Sequence, residues 1–206
     1  MHGGPSEPNR RDEPCKPRRC YAGAGPSRRG PPRRFREWWL GDPNSDEIIG
    51  SVLGERMARG GGLLFGRRTY EDLLSHWNRL PDSPFTPALN NAPKYVASNT
   101  LTEPLPWPNS TLLQGDVATA VAALKTRSDG DLGVMGSGEL IKSLLPHHLI
   151  DEWLLMIHPL VLGRGRRLFP EGSPLTTVRL VDTLTTTTGV VIATYHAGEP
   201  TAVRNS

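Results

Sequence analysis

The chain has 206 residues, with 24 Lys/Arg against 21 Asp/Glu, 22 glycines and 20 prolines. That length holds one domain with a proper core plus a tail, and the sequence contains neither an apolar run long enough to span a bilayer nor the apolar core of a secretory leader. The net charge of +3 divides unevenly: residues 1–36 carry ten Lys/Arg against three Asp/Glu, a net of +7, and residues 37–206 carry a net of −4.

The basic character therefore belongs to the first 36 residues and the body is mildly acidic. Without a basic or aromatic surface motif in the body, a nucleic-acid role would rest on the tail alone, and no nucleic-acid or membrane partner is expected. The two cysteines, Cys15 and Cys20, both lie in that tract. With no His or Cys partner set they make no metal site, and they fit incidental thiols of a reducing cytoplasm.

In chain order, residues 1–36 are rich in Gly, Pro and Arg and nearly free of aliphatic side chains, the composition of a disordered tail. Large apolar residues begin at Phe35-Arg36-Glu37-Trp38-Trp39-Leu40, so the folded domain is expected over 37–198, with 199–206 frayed. Asn44 or Ser45 can cap a helix from about Asp46 to Arg59, whose stripe is Ile48, Ile49, Val52, Leu53 and Met57. Gly60-Gly61-Gly62 ends it.

Leu63 to Trp77 carries the most structure-rich pattern. A short apolar run ends at Gly66, Arg67 and Arg68 follow, and Thr69 is placed to cap a helix with Glu71 and Asp72 in its first turn. Tyr70, Leu73, Leu74 and Trp77 recur at spacings of three and four and make its apolar face. Free N–H groups at a helix start, with two guanidinium groups beside them, suit a phosphate. A strand–helix turn with two solvated arginines is the plain alternative.

A Pro- and Asn-rich loop to Ala92 follows, then a strand at Lys94–Ser98 ending in Ser98-Asn99-Thr100. A short strand is expected at Ser110 to Gln114 and a helix capped by Asp116. Leu132 to Leu145 repeats the pattern of strand, glycine turn and helix, the turn being Gly136-Ser137-Gly138 and the helix stopping before Pro146. Ile150–His158 is a long apolar strand, and Arg164, Arg166 and Arg167 cluster in the loop after it. Strands near Thr177–Thr183 and Val190–His196 can pair antiparallel. Strands alternating with helices, followed by an antiparallel finish, give a three-layer α/β domain with a mixed sheet.

The Gly136 turn does not meet the dinucleotide fingerprint. Ile141 occupies the place of its third glycine, and Asp151 and Glu152 open the next strand instead of closing it. What persists is three small or basic anion sites, each after a strand end: Gly66-Arg67-Arg68-Thr69, Ser98-Asn99 and Gly136-Ser137-Gly138. A ligand with a diphosphate and a separate monophosphate would fit them, and NADPH is such a ligand.

With these stretches in view, the chain resembles the dihydrofolate reductase-like superfamily, in particular the reductase domain of bacterial riboflavin biosynthesis and its stand-alone relatives. The resemblance is carried by Leu64 to Tyr70, by Val134-Met135-Gly136-Ser137-Gly138-Glu139-Leu140, by Leu149–Glu152 running into Pro159–Gly165, and by Arg167-Leu168-Phe169. It implies an NADPH-dependent reductase that transfers hydride to a pyrimidine- or pteridine-like heterocycle. Arg67 would clasp the 2′-phosphate, Arg68 and Thr69 the diphosphate, and Ser98 with Asn99 would stand at the 2′-phosphate side. Gly136, Ser137, Gly138, Glu139 and Leu140 would place the diphosphate and nicotinamide end. A homodimer is also implied.

The family begins with an apolar interior strand, and residues 1–34 offer no run that could supply it. The fold is thus expected to lack its first strand, with the cofactor half present and the substrate half incomplete. No residue stands out as the catalytic acid. His147-His148 sit at a helix end, His158 precedes a proline, and Trp38 and Trp39 can as well cover the core. A non-catalytic NADP-binding or truncated remnant of the family is the alternative reading, and a nucleic-acid-associated protein tethered by its tail is a third.

Overall fold

The computed structural model describes residues 47–77, 85–135, 137–161, 167–169, 173 and 175–198. The expected tail, the two tryptophans at 38 and 39, Gly136, Arg164, Arg166 and the last eight residues lie outside the described residues.

Helix α1 spans Glu47–Ala58 and strand β1 spans Gly62–Gly66. Between them Gly60 and Gly61 take positive φ values of 80° and 70°, and a Cβ on Gly61 would stand 2.3 Å from the Asp131 carbonyl oxygen. The glycine run is therefore required by a close backbone approach as well as by the turn. Helix α2 follows at once over Arg67–Trp77. It starts two residues before the expected Thr69 cap, because the chain leaves Gly66 directly into helical geometry. Thr69 becomes the third helical residue, and Glu71 moves out of the first turn.

The stretch expected to be loop before Ala92 contains helix α3, Phe85–Asn91. Pro87 is its third residue, where a missing N–H costs nothing. Strands β2 (Lys94–Ala97) and β3 (Ser110–Leu113) precede helix α4 (Val117–Arg127). Asp116 caps α4 as expected, its Oδ1 accepting from the Thr119 N–H at 2.8 Å. Strand β4 (Leu132–Val134) leads to helix α5 (Gly138–Leu144), and Pro146 lies within a 3-10 turn, Leu145–His147, that continues it. Strands β5 (Glu152–Ile157), β6 (Val178–Thr185) and β7 (Val191–Ala197) complete the domain.

β1 is the hub. It pairs in parallel with β2 and β4, and β3 adds beyond β2, giving the order β3-β2-β1-β4. Its residues are apolar without alternation because both faces are covered. Leu63 and Phe65 pack with Tyr70 and Leu73 of α2, Leu89 of α3 and Trp107. Leu64 packs with Val121 of α4 and with Leu140 and Leu144 of α5. Tyr70 ties the first layer together: its hydroxyl donates to Ser110 Oγ at 3.1 Å and accepts from the Trp107 N–H at 3.0 Å. Lys94 is fully buried, and its Nζ donates to the carbonyls of Leu89, Ala92 and Asn90 at the end of α3, at 2.5, 2.7 and 3.3 Å. Here an ammonium group closes a helix C-terminus from inside.

The last three strands form a separate antiparallel sheet, β5-β7-β6. The strand directions are mixed, as expected, but they are divided between two hydrogen-bonded sheets. The division falls between β4 and β5. Among the described residues no strand pairs with the outer edge of either one, and residues 1–34, expected to hold no first strand, lie outside the described residues. Two helices pack across this seam. α5 and the 3-10 turn that continues it set Ile141 and Leu145 against Val134 of β4 and Trp153 and Leu155 of β5. α1 packs Ile49, Val52 and Leu53 on β5 and β7, while Met57 reaches the core beside β1. The Arg59 guanidinium, just past α1, lies 3.3 Å from Asp131 and 4.0 Å from Glu152 and so bridges the approaches to β4 and β5.

Candidate functional site

Parallel pairing sets the site. Gly66 is level with Ala97, and Leu64 with Val134. The turns that follow β1, β2 and β4 therefore emerge along one end of the sheet, with the Gly66 turn in the centre. The C-terminal ends of parallel strands are where such sheets receive ligands.

The central turn offers the strongest anion chemistry. α2 is eleven residues long, and the first four N–H groups of a helix have no partner within it. Arg68 is exposed and forms no ion pair among the described residues. Arg67 is already engaged, its Nη1 lying 2.8 Å from Glu71 Oε2 one turn on. Both partners of that pair are well exposed, so it is weak and can be exchanged for a phosphate.

Ser98 and Asn99 flank the centre on the β2 side. Ser98 Oγ accepts from the N–H groups of Thr100 and Leu101 at 3.1 and 3.0 Å, so its hydroxyl shapes its own turn. Asn99 is exposed. On the β4 side Ser137 faces the central turn. Its Oγ accepts from the Gly66 N–H at 2.8 Å and donates to Thr69 Oγ1 at 2.7 Å. Gly138 has open space where a Cβ would stand, leaving room for a ligand against the backbone. Glu139 is exposed, whereas Leu140 is buried in the core beside Leu64. Its side chain serves packing, and only its backbone is left to meet a ligand. α5 has seven residues, so it aligns fewer peptide dipoles toward an anion than α2 does.

The three groups named from sequence thus come together, apart from Gly136, which is outside the described residues. The histidines do not join them. His147 is in the 3-10 turn and His148 caps it in left-handed conformation, at the far end of α5. A shallow cavity of about 160 Å³ lined by His148, Asp151 and Trp153 is likewise at the start of β5, away from the three turns. Among the described residues no group of three or more His, Cys, Asp or Glu could hold a metal ion, and no helix is long and apolar enough to cross a membrane. Two features escaped the sequence reading. The buried Lys94 looked like any strand lysine, and the Ser137 cross-link joins residues 71 apart.

The profile of the family described as the RibD C-terminal domain matches residues 34–192. The uncharacterised protein YyaP of Bacillus subtilis (strain 168) is 31% identical over 140 residues, covering 65% of this chain and 72% of that protein. Among solved structures, a Shewanella sp. PV-4 protein provisionally assigned to riboflavin biosynthesis superposes with a TM-score of 0.59 at 26% identity, over 76% of this chain and 82% of its own. A pyrimidine reductase-like protein from Corynebacterium diphtheriae superposes with a TM-score of 0.55 over 78% of this chain and 85% of its own, and at 13% identity it speaks for the fold alone.

Proposed function

Since the chain belongs to the RibD C-terminal domain family and has its dihydrofolate reductase-like fold, we propose that it is an NADPH-dependent reductase of a pyrimidine- or pteridine-like heterocycle, working in the cytoplasm. One observation carries the reading: two guanidinium groups and the free N–H groups of α2 stand between two further polar turns at one end of a parallel sheet. That donor set fits a dinucleotide bearing an extra phosphate. Arg67 would take the 2′-phosphate, Arg68, Thr69 and the α2 backbone the diphosphate, and the open backbone at Gly138 the nicotinamide side. NADPH would supply the hydride, while this chain would bind, orient and exclude water.

The test is direct. NADPH should quench the protein's tryptophan fluorescence on binding, and a panel of pyrimidine and pteridine substrates should include one that drives its oxidation. A folded sample that binds NADPH and turns over nothing in the panel would favour the second reading, a non-catalytic NADP-binding member.

The Arg67–Glu71 pair gives a subtler expectation. Glu71→Gln should tighten NADPH about two- to fivefold by releasing Arg67, with little change for NADH, as titrations of both would reveal. The proposal extends to a homodimer. Strand β6 is exposed along its whole length and presents Val178, Leu180, Val181 and Leu184, apolar surface of the kind that subunits cover. Sedimentation at micromolar concentration should give twice the chain mass.

A further inference from the structure

We propose that Ser137 is a positioning residue that locks the α2 and α5 turns together and aims the Thr69 hydroxyl, and that it does not itself hold a phosphate. The inference deepens the cofactor reading above and rests on it.

The geometry of Ser137 is unusual in two ways. Its backbone is left-handed, with φ 72° and ψ 70°, a conformation that side-chain-bearing residues adopt at a cost. It also stands just before α5, where a serine ordinarily turns its hydroxyl back onto its own helix. No such capping bond forms. Its carbonyl accepts the Ile141 N–H at 3.0 Å and so starts the helix, while its hydroxyl is sent across to the neighbouring turn.

There it is fully committed. Oγ accepts from the Gly66 N–H and donates its single proton to Thr69 Oγ1. Phosphate oxygens need donors, and a serine has one O–H. With that proton given to Thr69, Ser137 has none for a ligand. Thr69, having accepted, keeps its own O–H, which must point away from Ser137. Thr69 is in the first turn of α2 beside the free N–H groups, so its remaining proton is available to the same anion. One hydroxyl thus orients another, a chain in which each bond strengthens the next.

The fit is matched on the other side. A Cβ on Gly66 would lie 2.8 Å from Ser137 Oγ. Glycine at 66 and serine at 137 form a complementary pair, and the backbone pairing of β1 with β4 ends short of them, at Leu64 and Val134. The hydroxyl continues the connection from the ladder's end into the ligand-facing turns.

Ser137→Ala and Ser137→Gly test this by NMR amide exchange, NADPH titration and melting. Both should speed exchange of the Gly66 amide about tenfold and weaken NADPH about tenfold, the scale of one lost hydrogen bond to an oriented group. Glycine accepts the left-handed backbone, so Ser137→Gly should melt no lower than wild type, which separates lost positioning from lost stability. Thr69→Ser should keep wild-type affinity and Thr69→Val should lose it. A Gly66 amide still protected in Ser137→Gly, or NADPH affinity unchanged there, would overturn the proposal. If the wild-type protein fails to bind NADPH, the cofactor reading falls, and Gly66 exchange alone decides whether the lock exists.

Discussion

Arg67→Ala should raise the NADPH dissociation constant by about ten- to a hundredfold and leave that of NADH within a factor of about two, the range for losing a charge-assisted contact to one phosphate. The asymmetry is the point of the experiment. NADPH and NADH differ only in the 2′-phosphate, so a residue that holds it discriminates between them, and one that holds the diphosphate does not. Arg68→Ala provides the contrast and should weaken both ligands alike. The pair with Glu71 makes Arg67 a demanding case, because alanine also leaves Glu71 unpaired near the incoming phosphates. Double replacement of Arg67 and Glu71 should therefore recover part of the lost affinity. Equal losses of NADPH and NADH on replacing Arg67 would show that this guanidinium serves the diphosphate.

Unfolding free energy should rise with pH between about 8 and about 10.4, by no more than about 1.4 kcal/mol per pH unit, and Lys94→Met should remove that slope. Burial of the Lys94 ammonium pushes its pKa down to about 8, whereas the unfolded chain titrates it near the ordinary lysine value. Between those limits the unfolded state holds more protons than the native one, so raising the pH favours the native state. Below the lower limit both states are protonated and the desolvation cost is constant. At pH 7 Lys94→Met strips donors from the Leu89, Ala92 and Asn90 carbonyls, which destabilises, and removes the desolvation cost of the ammonium, which stabilises, so the net change should stay within about 2 kcal/mol. Urea unfolding at several pH values would measure both quantities. A flat profile in the wild-type protein would mean that Lys94 titrates like a solvated lysine.

Much of this was legible in local pattern. Leu63 to Trp77 declared a strand, a glycine exit and an apolar helix face because burial on both sides of a strand and on one side of a helix leave different periods. The antiparallel finish was legible for the same reason, and the three turns fell into one row once parallel pairing was assumed. The misreadings came from contacts between distant residues. Pro87 and the asparagines suggested loop, yet a first-turn proline is compatible with α3, and that helix is closed by a lysine from the next strand. Leu140 stands in a stretch read as a binding motif, and the helical turn carries its side chain into the core with Leu64, leaving its backbone to meet a ligand. Thr69 had the chemistry of a cap, and instead it accepts a hydrogen bond from Ser137, on another turn of the fold.

The seam between β4 and β5 has a mechanical consequence. Among the described residues, the β3-β2-β1-β4 sheet and the β5-β7-β6 sheet share no interstrand hydrogen bond, and the contacts between them run through the apolar sides of α1 and α5 and a few charges. Contacts of this kind slide or part without breaking a ladder. The antiparallel sheet is therefore expected to exchange its amides as a unit distinct from the parallel one. If the reductase proposal holds, loss of order in the antiparallel sheet should leave dinucleotide affinity standing, so a retained NADPH signal would be a poor gauge of whether the whole domain is folded.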